Sequence, residues 1–172
     1  MEIEKKFLIK KIPNNIKKYE MHEIEQAYIS RTPTVRIRKF DEKYILTVKS
    51  KVGTEVKEHG EAFGRVGVLK GDVIVNNEFE CFISKKDYDR LLKKIDGNVV
   101  KKTRYIIPLY GDLKAELDIF HGKLEGLYFA EVEFRSVEDS LKFVKPDWFG
   151  DDVSVDKNYR NSRLSELESF FV

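Results

Sequence analysis

The sequence predicts an α+β, mostly β fold: eight antiparallel strands closed into a barrel, with helices packed on its outside. Three observations carry that prediction. Apolar residues alternate with period two through eight separate segments, turn residues join many of these by short links, and all but one of the segments gather charge on the face away from their apolar side chains. On a strand, residues i and i+2 point to the same face, so each segment can be read as two faces.

Residues 2–9 set Glu2, Glu4 and Lys6 on one face and Ile3, Phe7 and Ile9 on the other. A short helix is expected near 13–20, followed by a strand at 23–30. Thr32-Pro33 marks a turn into residues 34–40, where Arg36 and Arg38 oppose Val35 and Ile37. Past Asp41-Glu42, residues 43–50 turn Tyr44, Leu46 and Val48 away from Lys49. Residues 52–76, with five glycines, are the least regular stretch and read either as a mobile hairpin or lid or as an ordinary surface insertion. Residues 77–83 follow, with Glu78 and Glu80 opposing Phe79, Cys81 and Ile83.

Ser84 opens Ser-Lys-Lys-Asp, a capping-box-like start for a helix at 85–95. Asp96-Gly97 leads into 98–108, where Lys102 and Arg104 oppose Thr103 and Tyr105. Gly111-Asp112 precedes 113–120, in which Glu116 and Asp118 alternate with Ala115, Leu117 and Ile119. After Gly122 to Gly126, residues 127–135 alternate Glu131 and Glu133 with Ala130, Val132 and Phe134. Ser136 opens a helix at 137–144, and a last helix near 160–171 offers Leu164, Leu167, Phe170 and Phe171 for docking. No internal repeat or low-complexity segment interrupts this order.

At 172 residues the chain has the length of one domain, so 1–172 is taken as a unit. Its 32 basic and 30 acidic residues leave a net charge of +2, which gives no support for a nucleic-acid partner. No apolar run approaches the roughly 18 residues of a membrane-spanning helix. The lone Cys81 cannot form an internal disulfide and the opening MEIEKKFLIK is no secretion signal, so a cytoplasmic setting is expected, with Cys81 a small buried hydrophobe or a reactive thiol. His22, His59 and His121 lack zinc-site spacing, and no G-x-x-x-x-G-K-[ST] loop is present.

Any one charged pair is most simply a solvated outer face. Fourteen such groups on seven strands demand another arrangement: if the apolar faces pack against helices, the charged faces meet across a closed sheet. A dry interior could not hold them, since each buried ion costs several kcal/mol against a net stability of about 5–15 kcal/mol. A wet cavity lined by Lys, Arg and carboxylates has a natural occupant in a multiply charged phosphate accompanied by divalent cations, with forks and ammonium groups for the anion and hard oxygens for the metal.

Glu2-Ile3-Glu4-Lys5-Lys6 resembles the ExExK signature of the triphosphate tunnel metalloenzymes, the CYTH superfamily. Arg36-Ile37-Arg38, Thr47-Val48-Lys49, Glu78-Phe79-Glu80, Lys102-Thr103-Arg104, Glu116-Leu117-Asp118 and Glu131-Val132-Glu133 follow in that family's order, so the resemblance spans almost the whole chain. It implies a tunnel in which Lys6, Arg36, Arg38, Lys49, Lys102 and Arg104 bind the phosphate chain. Glu2, Glu4, Glu116, Asp118, Glu131 and Glu133 then hold magnesium or manganese, and Glu78 and Glu80 are further tunnel acids. Some of the bases could hold metal carboxylates instead. Glu4 doubles as a catalytic candidate, and Lys102 with Tyr28 resembles a pair that positions water in some relatives; Tyr28 is equally readable as a wall aromatic. Lys157, in Asp156-Lys157-Asn158-Tyr159, either closes one tunnel end or is a solvated turn lysine.

The implied activity is metal-dependent hydrolysis of inorganic triphosphate, extending to nucleoside triphosphates. The competing readings are a class IV type adenylyl cyclase, a non-catalytic polyphosphate- or nucleotide-binding module, and thiamine or RNA-end triphosphatase variants. The 52–76 stretch looks longer than its counterpart in compact relatives, which leaves open a tunnel cover, larger substrates or subunit contacts, a homodimer among them.

Overall fold

A computed structural model describes residues 2–51 and 74–169. Most of the irregular stretch, His59, Phe170, Phe171 and the side chain of Glu2 lie outside the described residues. All eight expected strands are present: β1 (Glu2–Ile9), β2 (Glu20–Arg31), β3 (Thr34–Phe40), β4 (Lys43–Lys51), β5 (Ile74–Phe82), β6 (Val100–Pro108), β7 (Lys114–His121) and β8 (Tyr128–Glu133). They form one antiparallel sheet in the order β5-β4-β3-β2-β6-β7-β8-β1, and β1 also pairs with β5 through Glu2↔Asn76, Ile3↔Val75 and Glu4↔Ile74.

A ninth strand, β9 (Phe149–Asp152), adds to β1 and was not expected, because Phe-Gly-Asp-Asp carries no alternation. Close approach favours it: a Cβ on Gly150 would stand 3.1 Å from the Leu8 carbonyl oxygen, tighter than most side chains accept, so glycine lets the two backbones meet without displacement.

Helices α1 (Lys85–Leu92) and α2 (Val137–Lys142) start where the sequence placed them, each with a serine accepting from the third residue on: Asp87 N to Ser84 Oγ at 3.1 Å and Asp139 N to Ser136 Oγ at 3.0 Å. The helix expected near 13–20 is only a 3-10 turn, Ile16–Lys18, entered through Asn15 in the left-handed region at φ 56°. The C-terminal helix shrinks to α3 (Asn161–Leu164). Its carbonyls go elsewhere: Ser162 O accepts from Arg31 Nε at 3.2 Å and Ser165 O from Asn98 N at 2.6 Å, so the chain docks instead of winding on. Gly97, at φ 94°, makes that docking fit, since a Cβ there would stand 2.6 Å from Ser165 O.

The apolar strand faces pack as alternation requires. Ile3, Phe7, Leu117, Ala130 and Val132 gather with Phe149 beneath Val137 and Phe143 at α2, while Ala27 and Ile37 pack with Tyr88 and Leu91 of α1. A third cluster lies on the charged face, at one end: Val100, Phe120 and Phe129 meet Leu124, Leu127 and Leu164 of α3. Burying a side chain the size of Leu164 stabilises by roughly 1.5–3 kcal/mol, so α3 is fixed against that end by its apolar contacts. No helix among the described residues is long and apolar enough to cross a membrane.

Candidate active site

Strand register carries the expected residues to one face. Across the sheet, Tyr28 partners Arg36, Arg36 partners Thr47, and Thr47 partners Glu80; further round, Arg104 partners Asp118, Glu116 partners Glu131, Glu131 partners Lys6, and Glu133 partners Glu4. The i, i+2 rule places Arg38, Lys49, Glu78 and Lys102 beside them.

The side chains form two ion-pair groups. In the first, one Arg36 Nη donates to Thr47 Oγ1 at 3.1 Å and to Glu78 and Glu80, each at 3.3 Å, while Lys49 Nζ stands 2.9 Å from Glu78. Thr47 Oγ1 completes it by donating to Glu80 at 2.7 Å. In the second, Arg104 grips Asp118 with Nε at 2.6 Å and Nη2 at 2.7 Å, reaches Glu131 at 2.8 Å and also pairs with Glu116. Lys102 pairs with Asp118, both side chains fully buried, and Lys6 Nζ stands 3.0 Å from Glu131 and donates to Tyr159 O at 3.0 Å. Two of these ammonium groups also rest on aromatic faces, Lys6 on Phe129 at 4.4 Å and Lys102 on Phe120 at 5.5 Å. The apolar end cluster therefore borders the charged zone directly.

Burial and crowding set the protonation states. Burial, then the like charge of Arg104, pushes Lys102 down to about 8 against the pull of Asp118 and Glu131. Arg38 falls to about 10, through burial and then its neighbours Arg36 and Arg104. Burial would also lower Arg104, but Asp118, Glu116 and Glu131 outweigh it and hold the guanidinium well above its usual range. Burial would raise Glu131, yet Lys6, Arg104 and Lys102 keep it well below the carboxylate range. Burial raises Tyr28 despite Arg36, Arg38 and Lys6, so its hydroxyl stays protonated at neutral pH.

Most expected residues thus converge. Tyr28 and Lys102 are engaged separately: the cations acting on the tyrosine are Arg36, Arg38 and Lys6, whereas Lys102 is held by Asp118. Lys157 is exposed on the 3-10 turn Lys157–Tyr159, whose Tyr159 carbonyl accepts from Lys6. His22 and His121 bond to Asp41 at 2.8 Å and Thr103 at 2.7 Å, away from these groups. Cys81 is half-buried.

Among the described residues no three His, Cys, Asp or Glu side chains stand together as a ready cation cage. The donor chemistry nonetheless fits a hard divalent cation: Glu4 and Glu133 are cross-strand partners, with Glu131 and Glu116 one alternate position along, and all offer carboxylate oxygens. Asp118 and Glu131 fit less well, since both oxygens of each are taken, those of Asp118 by Lys102 and Arg104 and those of Glu131 by Lys6 and Arg104.

Two participants were missed. Thr47 sits inside a quoted motif but was given no role; Gln26, fully buried, donates from Nε2 to Tyr28 Oη at 3.0 Å. Its position carries a signal, since Gln26 lies two residues before Tyr28 on the same face, but as a neutral residue it stands outside the charged alternation.

No family model matches the chain. An inorganic triphosphatase of Nitrosomonas europaea is 32% identical over 170 residues, covering 95% of this chain and 96% of that protein. An inorganic triphosphatase of Acetivibrio thermocellus is 30% identical, covering 95% and 92%. A crystal structure of the inorganic triphosphatase NE1496 superimposes with a TM-score of 0.65 at 28% identity, over 96% of this chain and 94% of that one. With its ordered charge pairs, its antiparallel sheet and this near full-length likeness, the chain belongs to the triphosphate tunnel metalloenzyme, or CYTH, family, on the inorganic triphosphatase branch.

Proposed function

We propose that this protein hydrolyses inorganic triphosphate in a metal-dependent reaction inside a closed eight-stranded tunnel. Pairing of β1 with both β8 and β5 supports the closure, and the names of the relatives support the reaction. The observation that carries the reading lies in the charged face itself. Arg36 Nε and Arg38 Nε are buried donors with no acceptor among the described residues. An unmet buried donor costs about 1–3 kcal/mol, and the oxygens of a polyphosphate would meet both.

In this reading Arg36, Arg38, Lys6, Lys49, Lys102 and Arg104 hold the phosphate chain and offset charge developing on the departing pyrophosphate. Tyr28, protonated, donates to a phosphate oxygen. Asp118 fixes Lys102 and Arg104 in place, while Glu2, Glu4 and Glu133, aided by Glu116 and Glu131, hold magnesium or manganese. When bound, the cation supplies charge neutralisation and Lewis acidity toward phosphate oxygens and water. Glu78 and Glu80 orient Arg36, and Lys157 stands at the end where Tyr159 meets Lys6.

Phosphate release is measured from tripolyphosphate, ATP, thiamine triphosphate and pyrophosphate, each with magnesium or manganese. Tripolyphosphate is expected to be cleaved fastest. Formation of cyclic AMP from ATP without orthophosphate would overturn the reading in favour of a cyclase, and tight tripolyphosphate binding without turnover in favour of a binding module.

A further inference from the structure

We infer that Gln26 is a catalytic residue of this site and orients the attacking water through its amide oxygen, an inference that rests on the triphosphatase reading. Gln26 lies on the charged face of β2, fully buried, with Arg38 and Val100 as its cross-strand partners. Its Nε2 is used, donating to Tyr28 Oη at 3.0 Å. Its Oε1 is buried without a donor among the described residues, and the Nε of its cross-strand partner Arg38 is buried without an acceptor. A polyphosphate oxygen satisfies the arginine, but two acceptors repel, so it cannot satisfy the amide oxygen. Inorganic triphosphate in its ionised form carries no hydroxyl donor either. Once the Arg38 N–H groups are turned to phosphate oxygens, water is the reactant that can donate to Oε1.

A water held this way keeps a lone pair free for the terminal phosphorus beside Arg38. Gln26 also occupies an acceptor position on Tyr28 Oη, which leaves the tyrosine proton for a phosphate oxygen. The water oxygen forms the new bond to the terminal phosphorus as the bond from that phosphorus to the bridging oxygen breaks. The electron pair leaves with pyrophosphate, and both water protons remain on the orthophosphate formed, to exchange with solvent. The amide takes up no proton; its contribution is orientation.

The test is Gln26→Met, which keeps the side-chain length without the amide, with Gln26→Ala read in its place if the first does not fold. Steady-state kcat and KM for tripolyphosphate are measured with magnesium, alongside thermal unfolding. The expected result is a kcat about 100-fold lower, as for loss of one oriented group at a reaction centre, with KM within about twofold of wild type. A kcat within about threefold of wild type overturns the assignment, as does a raised KM at unchanged kcat. Wild-type protein that leaves tripolyphosphate intact overturns the functional reading instead, so the two failures are told apart in one experiment.

Discussion

Replacing Asp118 by Asn keeps the shape of the side chain and removes the charge on which the second ion-pair group is built. Asp118 is fully buried, and its two oxygens receive Arg104 Nε at 2.6 Å, Arg104 Nη2 at 2.7 Å and Lys102 Nζ. An amide can turn only one oxygen toward these donors, so its NH2 must face a cation. Glu116 and Glu131 still compensate Arg104, but Lys102 loses its direct partner. Removing one member of a buried pair costs about 3–5 kcal/mol. For a domain of this size, roughly 2–4 °C is lost per kcal/mol, so the unfolding midpoint should fall by about 6–20 °C. Added tripolyphosphate supplies the missing negative charge, so it should raise the midpoint of Asp118→Asn by more than it raises that of wild type. Differential scanning fluorimetry with and without the anion reads both quantities. A fall of less than about 3 °C, or an equal ligand shift in both proteins, would refute the assignment of Asp118 as the anchor of Lys102 and Arg104.

Three further outcomes are expected. Lys102 titrates near 8 in the folded protein against 10.5 unfolded, so holding its charge costs about 3 kcal/mol below pH 8, and that cost is relieved as pH rises from about 8 to 10.5. Wild type should gain roughly that much stability relative to Lys102→Met across this window in urea titrations, and a flat difference would show that the lysine is not held charged in a buried site. Glu4→Gln should stay folded, lose most of its activity and need a higher magnesium concentration for what remains; an unchanged metal dependence in phosphate-release assays would remove Glu4 from the cation site. Arg38→Ala should remove most activity, at least about tenfold in kcat/KM, and near-wild-type kinetics would end its role in phosphate binding.

Much of this molecule was legible because strands state their faces in the sequence. Glu116-Leu117-Asp118 and Lys102-Thr103-Arg104 each name an inner and an outer side, and the structure buries Leu117 beneath the outer layer while Asp118 meets Lys102 and Arg104. What escaped was set by tertiary contact. β9 exists because Gly150 lets two backbones touch, and α3 stops early because Arg31 and Asn98 claim carbonyls from distant segments. Neither contact has a local signature. Within the site, the pairing of specific acids with specific bases depends on register between strands far apart in sequence: Lys6 meets Glu131 across β1 and β8. Gln26 was hidden for a different reason, being neutral among charges.

Triphosphate is expected to be cleaved by the face where Arg36, Arg38, Lys102 and Arg104 gather. Phosphorus-31 NMR of tripolyphosphate incubated with the wild-type protein and magnesium reads this without a coupled enzyme. Equal amounts of orthophosphate and pyrophosphate should appear as tripolyphosphate disappears, with Arg38→Ala slowing all three signals together. Tripolyphosphate that persists unchanged beside folded protein, or an Arg38→Ala rate equal to wild type, would contradict it.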